Sequence, residues 1–591
     1  MIISSRKKPL SPTSKHLLCV GIIMLVTGPL YLSTLQHFIP PLDSAEFFGV
    51  VASNGVAHPP GYPLLSLLGL LFTAFPAFSF ASKLNFVSCF FGILTIQLCY
   101  VFLFCITRSR RVALCAAFFL AFSSVFWFFS TLIEVQTLHS SIIMMILLSL
   151  LRFSQTQSPN WLYCTAFFFG LGGCHLHTII FLVPPAVLFL FYHRTILPSH
   201  PKVILSLLAW ALLGLTPYIY LPLAAMADPV VNRGNPVTIS AFLDVFFRRA
   251  YGSFSLTQYA TGNRWFHFIE QLHTLFFASI KDSFLLGWAI IAAGCIHAAS
   301  AYRDWLTTWL LFLFGAIVLF LFIANVPATP LFVDVLKKQL APLLLAQAFF
   351  FGLGVHYLLR RTRQQPLILT IVFALLVAMA AINKNKASHA TPDLVQRVAL
   401  CILNTVEPNA ILFNGYDTLH FALEYFVASQ PAFKNIRPIT FLMGHSEAHA
   451  VRQQFQAYDL PSTSYSKALS LALIKEAFPH RPIYFTFASK IQNQFHLEAI
   501  QAHLLPKGLV YRFKPNASTS DIQTMLSLGL RHMHAYNLHT LRADTQRDYG
   551  SKEVVRWVSD AYYNAGIMQN RIGNTNQAKQ LMSLSRTVYP R

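Results

Sequence analysis

The chain has 591 residues, 55% of them hydrophobic and only 11% charged, with a formal net charge of +22. That balance excludes an ordinary soluble globule and a disordered chain, and points to a polytopic membrane protein. The 44 Lys and Arg split into 22 before residue 384 and 22 from there onward. So even a spread reads chiefly as cytoplasmic-loop and headgroup charge, leaves room for a cationic site for a phosphate-bearing substrate, and argues against a nucleic-acid partner.

Arg6, Lys7, Lys8 and Lys15 precede an apolar run from about Leu17 to Leu35 with no small-x-small cleavage site after it. This predicts an uncleaved signal anchor with a cytoplasmic N-terminus. Ten further spans are predicted at roughly 84–106, 112–132, 139–153, 161–173, 179–193, 203–222, 283–301, 306–325, 339–359 and 367–383. Several are shorter than the ~20 residues a full crossing needs, and such helices must tilt, pair or line a wet cavity. With about eleven spans, Arg108, Arg110, Arg111, Arg152, Arg194, Arg303, Arg360, Arg361 and Arg363 all fall on the cytoplasmic side. Asp43, His58, Glu134, His175, His177, Asn232 and Arg233 then gather on the other face with the C-terminal part. A crossing by Tyr62–Phe78 would invert this pattern, so that stretch is predicted to be interfacial or re-entrant. The Glu46–Val56 stretch reads as a short interfacial helix with Phe47, Phe48 and Val51 in the headgroup layer. Residues 223–282 read as a long mixed loop, with turn signals in Asn232-Arg233-Gly234-Asn235-Pro236.

A membrane domain is predicted for residues 1–383, an extracytoplasmic α/β domain for 384–549, and a helical hairpin for 550–591. Lys384, Lys386 and Thr391-Pro392 read as the linker. Strands are predicted at Ala410–Phe413, Pro438–Leu442, Pro482–Phe487 and Leu509–Phe513, with helices near 418–429, 466–478 and 493–504 between them. The final hairpin, with Tyr562, Tyr563, Ala565, Gly566, Ala578 and Leu581, is tetratricopeptide-like, and a single repeat serves as a cap or docking element. Eight of the nine cysteines lie in the apolar part and no CxxC or zinc spacing is present, so neither disulfide staples nor structural zinc are expected.

Chemistry is narrowed by scarcity: the first 227 residues contain three carboxylates, Asp43, Glu46 and Glu134. Acids near lipid are costly and usually bind or react. Asp43 and Glu46, at i and i+3 of a helix, share a face. Asp43 reads as a general base for a hydroxyl, while Glu46 reads equally as a second site carboxylate or as the capping-box partner of an Asp43 N-cap. His58-Pro59-Pro60-Gly61-Tyr62 is a stiff segment that sets the position of a histidine able to donate to a phosphate or sugar hydroxyl. Glu134 and His139, in Glu134-Val135-Gln136-Thr137-Leu138-His139, stand at a predicted outer end, where they either join the cavity or mark a loop. His175-Leu176-His177 reads as polar cavity lining rather than zinc, since i and i+2 point apart on a helix. Arg233 is a natural two-oxygen phosphate clamp. Arg248 and Arg249 read more readily as solvated loop charge. No Walker A, kinase, Rossmann or GxSxG signature occurs, and Asn516-Ala517-Ser518 is a bare glycosylation match.

These motifs, in this order, resemble the protein O-mannosyltransferase-like membrane glycosyltransferases of the GT-C fold, a broad family that includes the plexin-domain O-mannosyltransferase and many bacterial membrane proteins. The resemblance is carried by Asp43-Ser44-Ala45-Glu46-Phe47, His58-Pro59-Pro60-Gly61-Tyr62-Pro63, Asn85 with Ser88, Glu134 with Thr137 and Leu138, Gly170-Leu171 with His175, Tyr220-Leu221-Pro222-Leu223 and Asn232-Arg233-Gly234-Asn235-Pro236. It covers roughly residues 17–260 and thins beyond. Ala45 stands where bacterial members often have Gly, and Arg233 where they often have Trp. The resemblance implies an inverting enzyme of the outer face of the inner membrane, with a polyprenyl-phosphate-linked sugar, typically mannose, as donor and a protein or glycan hydroxyl as acceptor. Asp43 would take the hydroxyl proton, Glu46 would share the catalytic site, and His58, Glu134, His139, His175, His177 and Arg233 would contact substrate. Metal dependence varies in such enzymes; a divalent cation at Asp43 and Glu46 would be held by oxygen ligands. A lipid-linked-intermediate transporter or flippase and a membrane-anchored scaffold are the alternatives.

Overall fold

A computed structural model of the chain describes residues 12–76, 78–193, 201–249, 263–327, 329, 333, 336–337, 340–388, 392–415, 417–440, 480–486, 503–543 and 549–590. The expected helix at 466–478 and nearly all of that at 493–504 lie outside them. The chain divides into two compact units, both discontinuous in sequence: residues 1–35, 85–217 and 259–388 form one, and residues 36–84, 218–258 and 389–591 the other. The sequence reading instead draws its boundary at residue 383.

The first unit is a helical bundle. Among the described residues seven helices are long and apolar enough to cross a membrane: Ser14–Ser33, Phe80–Thr107, Val135–Thr156, Arg264–Ala301, Arg303–Ala324, Ala341–Arg361 and Gln365–Ala387. An eighth results if Pro201–Gly214 and Thr216–Met226, bent by 43°, form one span. The other three predicted spans are helical but short or interrupted. The 112–132 run breaks at Phe122 into Arg110–Ala121 and Ser124–Phe129, Pro159–Gly173 has 15 residues, and Val183–Tyr192 follows a 3-10 turn.

One prediction fails outright here. Residues 264–282 belong to a 38-residue helix, not to a loop. Asn263 caps it, its side-chain oxygen accepting from the Trp265 and Phe266 N–H groups at 3.0 and 3.3 Å. The buried stripe includes His267, Gln271, Ser279 and Asp282, so its helical period is carried partly by polar residues and hydropathy misses it. At Phe284 the backbone leaves helical angles (φ 58°, ψ 162°). Just before this kink Asp282 accepts from the Ser123 hydroxyl at 2.5 Å, the Ser124 N–H at 2.7 Å and the Ser124 hydroxyl. Asn383 donates to the Phe122 and Asp282 carbonyls at 2.9 and 3.1 Å. Lys384 and Lys386, predicted as linker, lie in the last turn of the Gln365–Ala387 helix.

Glycine sets a close helix crossing in this bundle. A Cβ on Gly294 would collide with the Phe350 carbonyl, and one on Gly354 with the Ile290 carbonyl. The two backbones meet directly, as small residues allow where lipid tails remove any hydrophobic drive to pair.

In the second unit the Asp43–Ser53 helix is followed by an 11-residue helix, Pro63–Thr73. At ~1.5 Å per residue the latter falls far short of a ~30 Å hydrocarbon core. Phe47, Phe48 and Val51 are buried inside the protein rather than offered to headgroups. Phe48 packs edge-on against Phe80 and Tyr425, with centroids 6.0 and 5.4 Å away. Among the described residues the C-terminal part forms a mixed five-stranded sheet, order β2-β1-β3-β5-β4, from β1 (Ile411–Asn414), β2 (Arg437–Thr440), β3 (Ile483–Phe485), β4 (Leu504–Lys507) and β5 (Val510–Phe513). β1 lies parallel to β2 and β3, whereas β5 is antiparallel to β3 and β4. The sequence reading misses β4, whose Pro506 and Lys507 weaken the strand pattern. It also omits the helices Leu394–Thr405 and Thr519–Ala535, the second of which starts with a Ser518/Asp521 capping box. Tyr549–Arg571 and Thr575–Val588 form the terminal hairpin.

The glycine crossing gives a direct test. Gly294→Val and Gly354→Val are each expected to abolish the monodisperse peak in detergent size-exclusion chromatography. Gly21→Val, at a position with nothing near its would-be Cβ, should leave it intact.

Candidate active site

Asp43 opens the first turn of the Asp43–Ser53 helix instead of capping it; the cap is Leu42, with φ 60° and no side-chain cap bond. The Leu42 N–H donates to the Thr418 hydroxyl at 3.1 Å. A carboxylate in this first turn lies in the favourable field of the helix N-terminus. Glu46 is no capping-box partner either. It is 1% exposed, and its carboxylate turns toward the following loop and a distant one. One oxygen accepts from the His58 N–H at 3.0 Å and the Arg233 Nε–H at 3.4 Å. The other pairs with His58 Nδ1.

The backbone between these residues explains their meeting. The helix ends in a left-handed Asn54, and Gly55 donates to the Val50 carbonyl at 2.7 Å. Val56 then forms a parallel bridge with Asn232. The Val56 N–H donates to the Val231 carbonyl at 2.8 Å, and the Arg233 N–H to the Val56 carbonyl at 3.1 Å. Tyr220 adds a bond from its hydroxyl to the Gly55 carbonyl at 2.8 Å. This short ladder fixes Arg233 beside Glu46, and the Pro59-Pro60 turn that follows carries a cis peptide.

Arg233 reaches a second buried acid. Its Nη2 donates to Glu424 at 2.6 Å, and its guanidinium lies over the Phe421 ring at 5.6 Å. His420, one turn before Glu424 on the Asp417–Ser429 helix, brings its Nε2 within 3.1 Å of the other Glu424 oxygen. Glu46, Arg233, His420 and Glu424 are all buried. Isolated charges so placed would be prohibitive, so the carboxylates persist because a guanidinium and histidines face them. Burial on its own would push Glu424 up, but Arg233 and His420 outweigh it and hold the carboxyl below its usual range. Burial would likewise lower His58; the Glu46 carboxylate, helped by Asp43 and opposed by Arg248, raises it above the ordinary histidine value.

With both oxygens of Glu46 facing cationic or N–H donors, an Asp43–Glu46 pair does not suit a divalent cation. Among the described residues no group of three or more His, Cys, Asp and Glu side chains could hold a metal. Arg233, expected as a phosphate clamp, has its guanidinium engaged by two carboxylates. Arg249 pairs with Asp244 at 2.7 Å, with both side chains about half exposed.

The remaining candidates, Glu134, His139, His175 and His177, belong to the first unit. Glu134 caps the Val135–Thr156 helix, its side chain accepting from the Val135 N–H at 3.2 Å, while its own N–H donates to Ser88 at 3.0 Å. His175 Nε2 lies 2.7 Å from the Val135 carbonyl, and the His139 and His175 rings are 6.3 Å apart. His177 starts a 3-10 turn. The sequence reading passes over Glu424 and His420. Their trace is an i, i+4 His/Glu pair inside a helix whose neighbours Leu419, Ala422 and Leu423 are apolar.

Comparison with solved structures defines the class. Crystal structures of ArnT from Cupriavidus metallidurans share the fold: that bound to undecaprenyl phosphate has a TM-score of 0.52 at 11% identity, covering 86% of this chain and 99% of ArnT. The apo form gives 0.53 at 12%, covering 85% and 98%. This is the GT-C fold of polytopic membrane proteins. In sequence, residues 43–199 match the family described as the protein O-mannosyl-transferase TMEM260 N-terminal domain. The chain is 27% identical over 412 residues to protein O-mannosyl-transferase TMEM260 of Mus musculus, which spans 66% of this chain and 58% of that protein. It is 26% identical over 261 residues to the Dictyostelium discoideum protein of the same name, 40% of this chain and 31% of that one. The chain is thus O-mannosyl-transferase-like in sequence and GT-C in fold, and it spans 58% and 31% of these curated relatives' length, less than two thirds of either.

Two outcomes follow from the ion network. Arg233→Met strands two buried carboxylates and is expected to cost about 3–5 kcal/mol. Adding Glu424→Gln should restore part of it, as a double-mutant cycle of denaturation in detergent would read; additive effects would remove the coupling. Since the raised His58 contributes stability while protonated, that contribution is full below its unfolded value near 6.5 and is lost as pH rises through its higher folded value. Melting temperature should therefore fall as pH rises from about 6.5 through that higher folded value, and His58→Asn should flatten that limb.

Proposed function

We propose that this chain is an inverting glycosyltransferase. It moves a sugar, mannose first among the candidates, from a polyprenyl-phosphate donor to an acceptor hydroxyl, on protein Ser/Thr or on a glycan. It acts at the outer face of the inner membrane, with its N-terminus cytoplasmic and its C-terminal residues extracytoplasmic. The observation that carries this reading is the division of labour between two carboxylates one helical turn apart. Glu46 is buried and fully engaged, while Asp43 is only partly buried, at the helix N-terminus. The resemblance of the surrounding sequence to O-mannosyl-transferases and the likeness in fold to an undecaprenyl-phosphate-binding protein support it.

In this reaction the acceptor oxygen attacks the anomeric carbon as its proton passes to the Asp43 carboxylate. The bond from that carbon to the phosphate oxygen breaks, and polyprenyl phosphate departs with the electron pair. Glu46 is a positioning residue: it fixes His58 and Arg233 and sets the helix on which Asp43 stands. A protonated His58 offsets charge on the leaving phosphate. Glu134, His139, His175 and His177 are proposed to contact the donor.

Asp43→Asn keeps the shape and removes the base. Transfer from a polyprenyl-phosphate sugar to a hydroxyl acceptor, measured in membranes, is expected to drop about 10²–10⁴-fold with normal membrane insertion. Undiminished transfer, or a defect confined to lipid translocation, would remove Asp43 from the chemistry.

A further inference from the structure

The Pro63–Thr73 helix of the second unit gives one narrow side to protein and leaves an apolar side outward. Pro63, Leu65, Ser66 and Gly69 are buried. A Cβ on Gly69 would stand 2.6 Å from a Val51 methyl and 3.0 Å from a Leu84 methyl, so this side is already filled. Leu67 and Leu71, four residues apart and hence on one stripe, are 38% and 56% exposed. Phe75 and Phe78, beyond the helix end, are 61% and 85% exposed. Single exposed apolar side chains are ordinary, but a run of them marks a surface that something apolar covers.

Two observations name the cover. The first is how the polar groups beside this face are spent. No Asp, Glu, Lys or Arg occurs from Phe47 to Ser82. The Ser66 hydroxyl donates to the Tyr62 carbonyl at 3.1 Å, and the Thr73 hydroxyl to the Gly69 carbonyl at 2.8 Å. The Lys83 ammonium donates to the Thr73 and Phe75 carbonyls at 2.7 and 2.9 Å, so the chain itself serves carbonyls at the helix end that water would otherwise serve. A protein partner is met through a polar rim, whereas hydrocarbon requires every polar group to be satisfied from within. The second is continuity with a span. Phe80–Thr107, long and apolar enough to cross a membrane, begins two residues after Phe78. At ~1.5 Å per residue the 11-residue helix is about 16 Å long, roughly half of a ~30 Å hydrocarbon core, which suits entry into one leaflet and no further. We infer that Leu67, Leu71, Phe75 and Phe78 lie among the acyl chains of one leaflet, giving the second unit its own foothold in the bilayer. The helix starts five residues after His58, and Gly61 and Tyr62 between them hold left-handed angles, φ 90° and 43°. The foothold therefore sets the level of the His58 turn relative to the lipid. It does not depend on the sugar-transfer reading; on that reading, it brings His58 to the level of the donor phosphate.

The test uses the wild-type full-length protein in phospholipid nanodiscs, so no substitution has to fold. One sample contains a phospholipid with a diazirine midway along an acyl chain, and the other a small water-soluble diazirine. Both are irradiated and the labelled residues mapped by mass spectrometry. Gln365–Ala387, with Phe373 and Val377 exposed on a helix apolar enough to cross, is the lipid control. Thr519–Ala535, with Thr519 and Ser520 exposed, is the aqueous control. The lipid probe should label Leu67, Leu71, Phe75 and Phe78 as strongly as the lipid control, and the aqueous probe should leave all four unlabelled. Labelling by the aqueous probe, alone or beside the lipid one, would put the face in water and overturn the inference. Absence of both labels would mean that protein covers the face and would overturn it equally. Neither label requires transfer, so a failure of the catalytic reading leaves this result as it is.

Discussion

A guanidinium held between two buried carboxylates is the constraint on which the second unit turns. Glu46 comes from the helix that carries Asp43, Arg233 from a loop laid against Val56, and Glu424 from a helix beside the sheet. Residues far apart in sequence are joined by charges that could not stand alone away from water. Removing one partner strands the others as uncompensated buried charges. The same logic makes Arg233 less a ligand for phosphate than a fixture. Without a guanidinium at position 233 the buried Glu424 would lose its cation, so Arg233 and Glu424 form a matched pair.

The bundle handles its polar groups differently. Asp282 sits where the long Arg264–Ala301 helix kinks and is satisfied by two serines and their backbone. Asn383 closes the same knot. These bonds join three segments of the first unit in a region where unmet backbone groups would be costly.

Much of the fold is legible in the chain. Seven of the predicted spans are long apolar helices, and the helix from Asp417 and the terminal hairpin appear close to where periodicity sets them. What escapes has a physical reason. The stretch before Phe284 buries a polar stripe, so hydropathy sees a loop. The second amphipathic-looking helix buries Phe47 and Phe48 in protein rather than lipid because the chain returns from the far side of the sequence, through Tyr425, to cover them. At the site, spacing alone shows that Asp43 and Glu46 share a helix and that a histidine follows. It cannot show that Glu46 is sealed by Arg233, since that depends on a backbone bridge across more than a hundred residues. Glu424 is invisible for the same reason: an acid on a short helix reads as surface until its partner is known.

The decisive observation is how firmly the Asp43–Ser53 helix is held when one charge is neutralised at a distance in sequence. Amide hydrogen exchange, followed by mass spectrometry on wild type and Glu424→Gln in the same detergent, reads this directly. If the buried pairing anchors that helix, exchange should quicken across residues 43–62 and 231–236 and stay unchanged in Ala341–Arg361. Unaltered protection of 43–62 would mean that apolar packing alone holds the aspartate-bearing turn, and the ion network would lose its place as the organiser of the site.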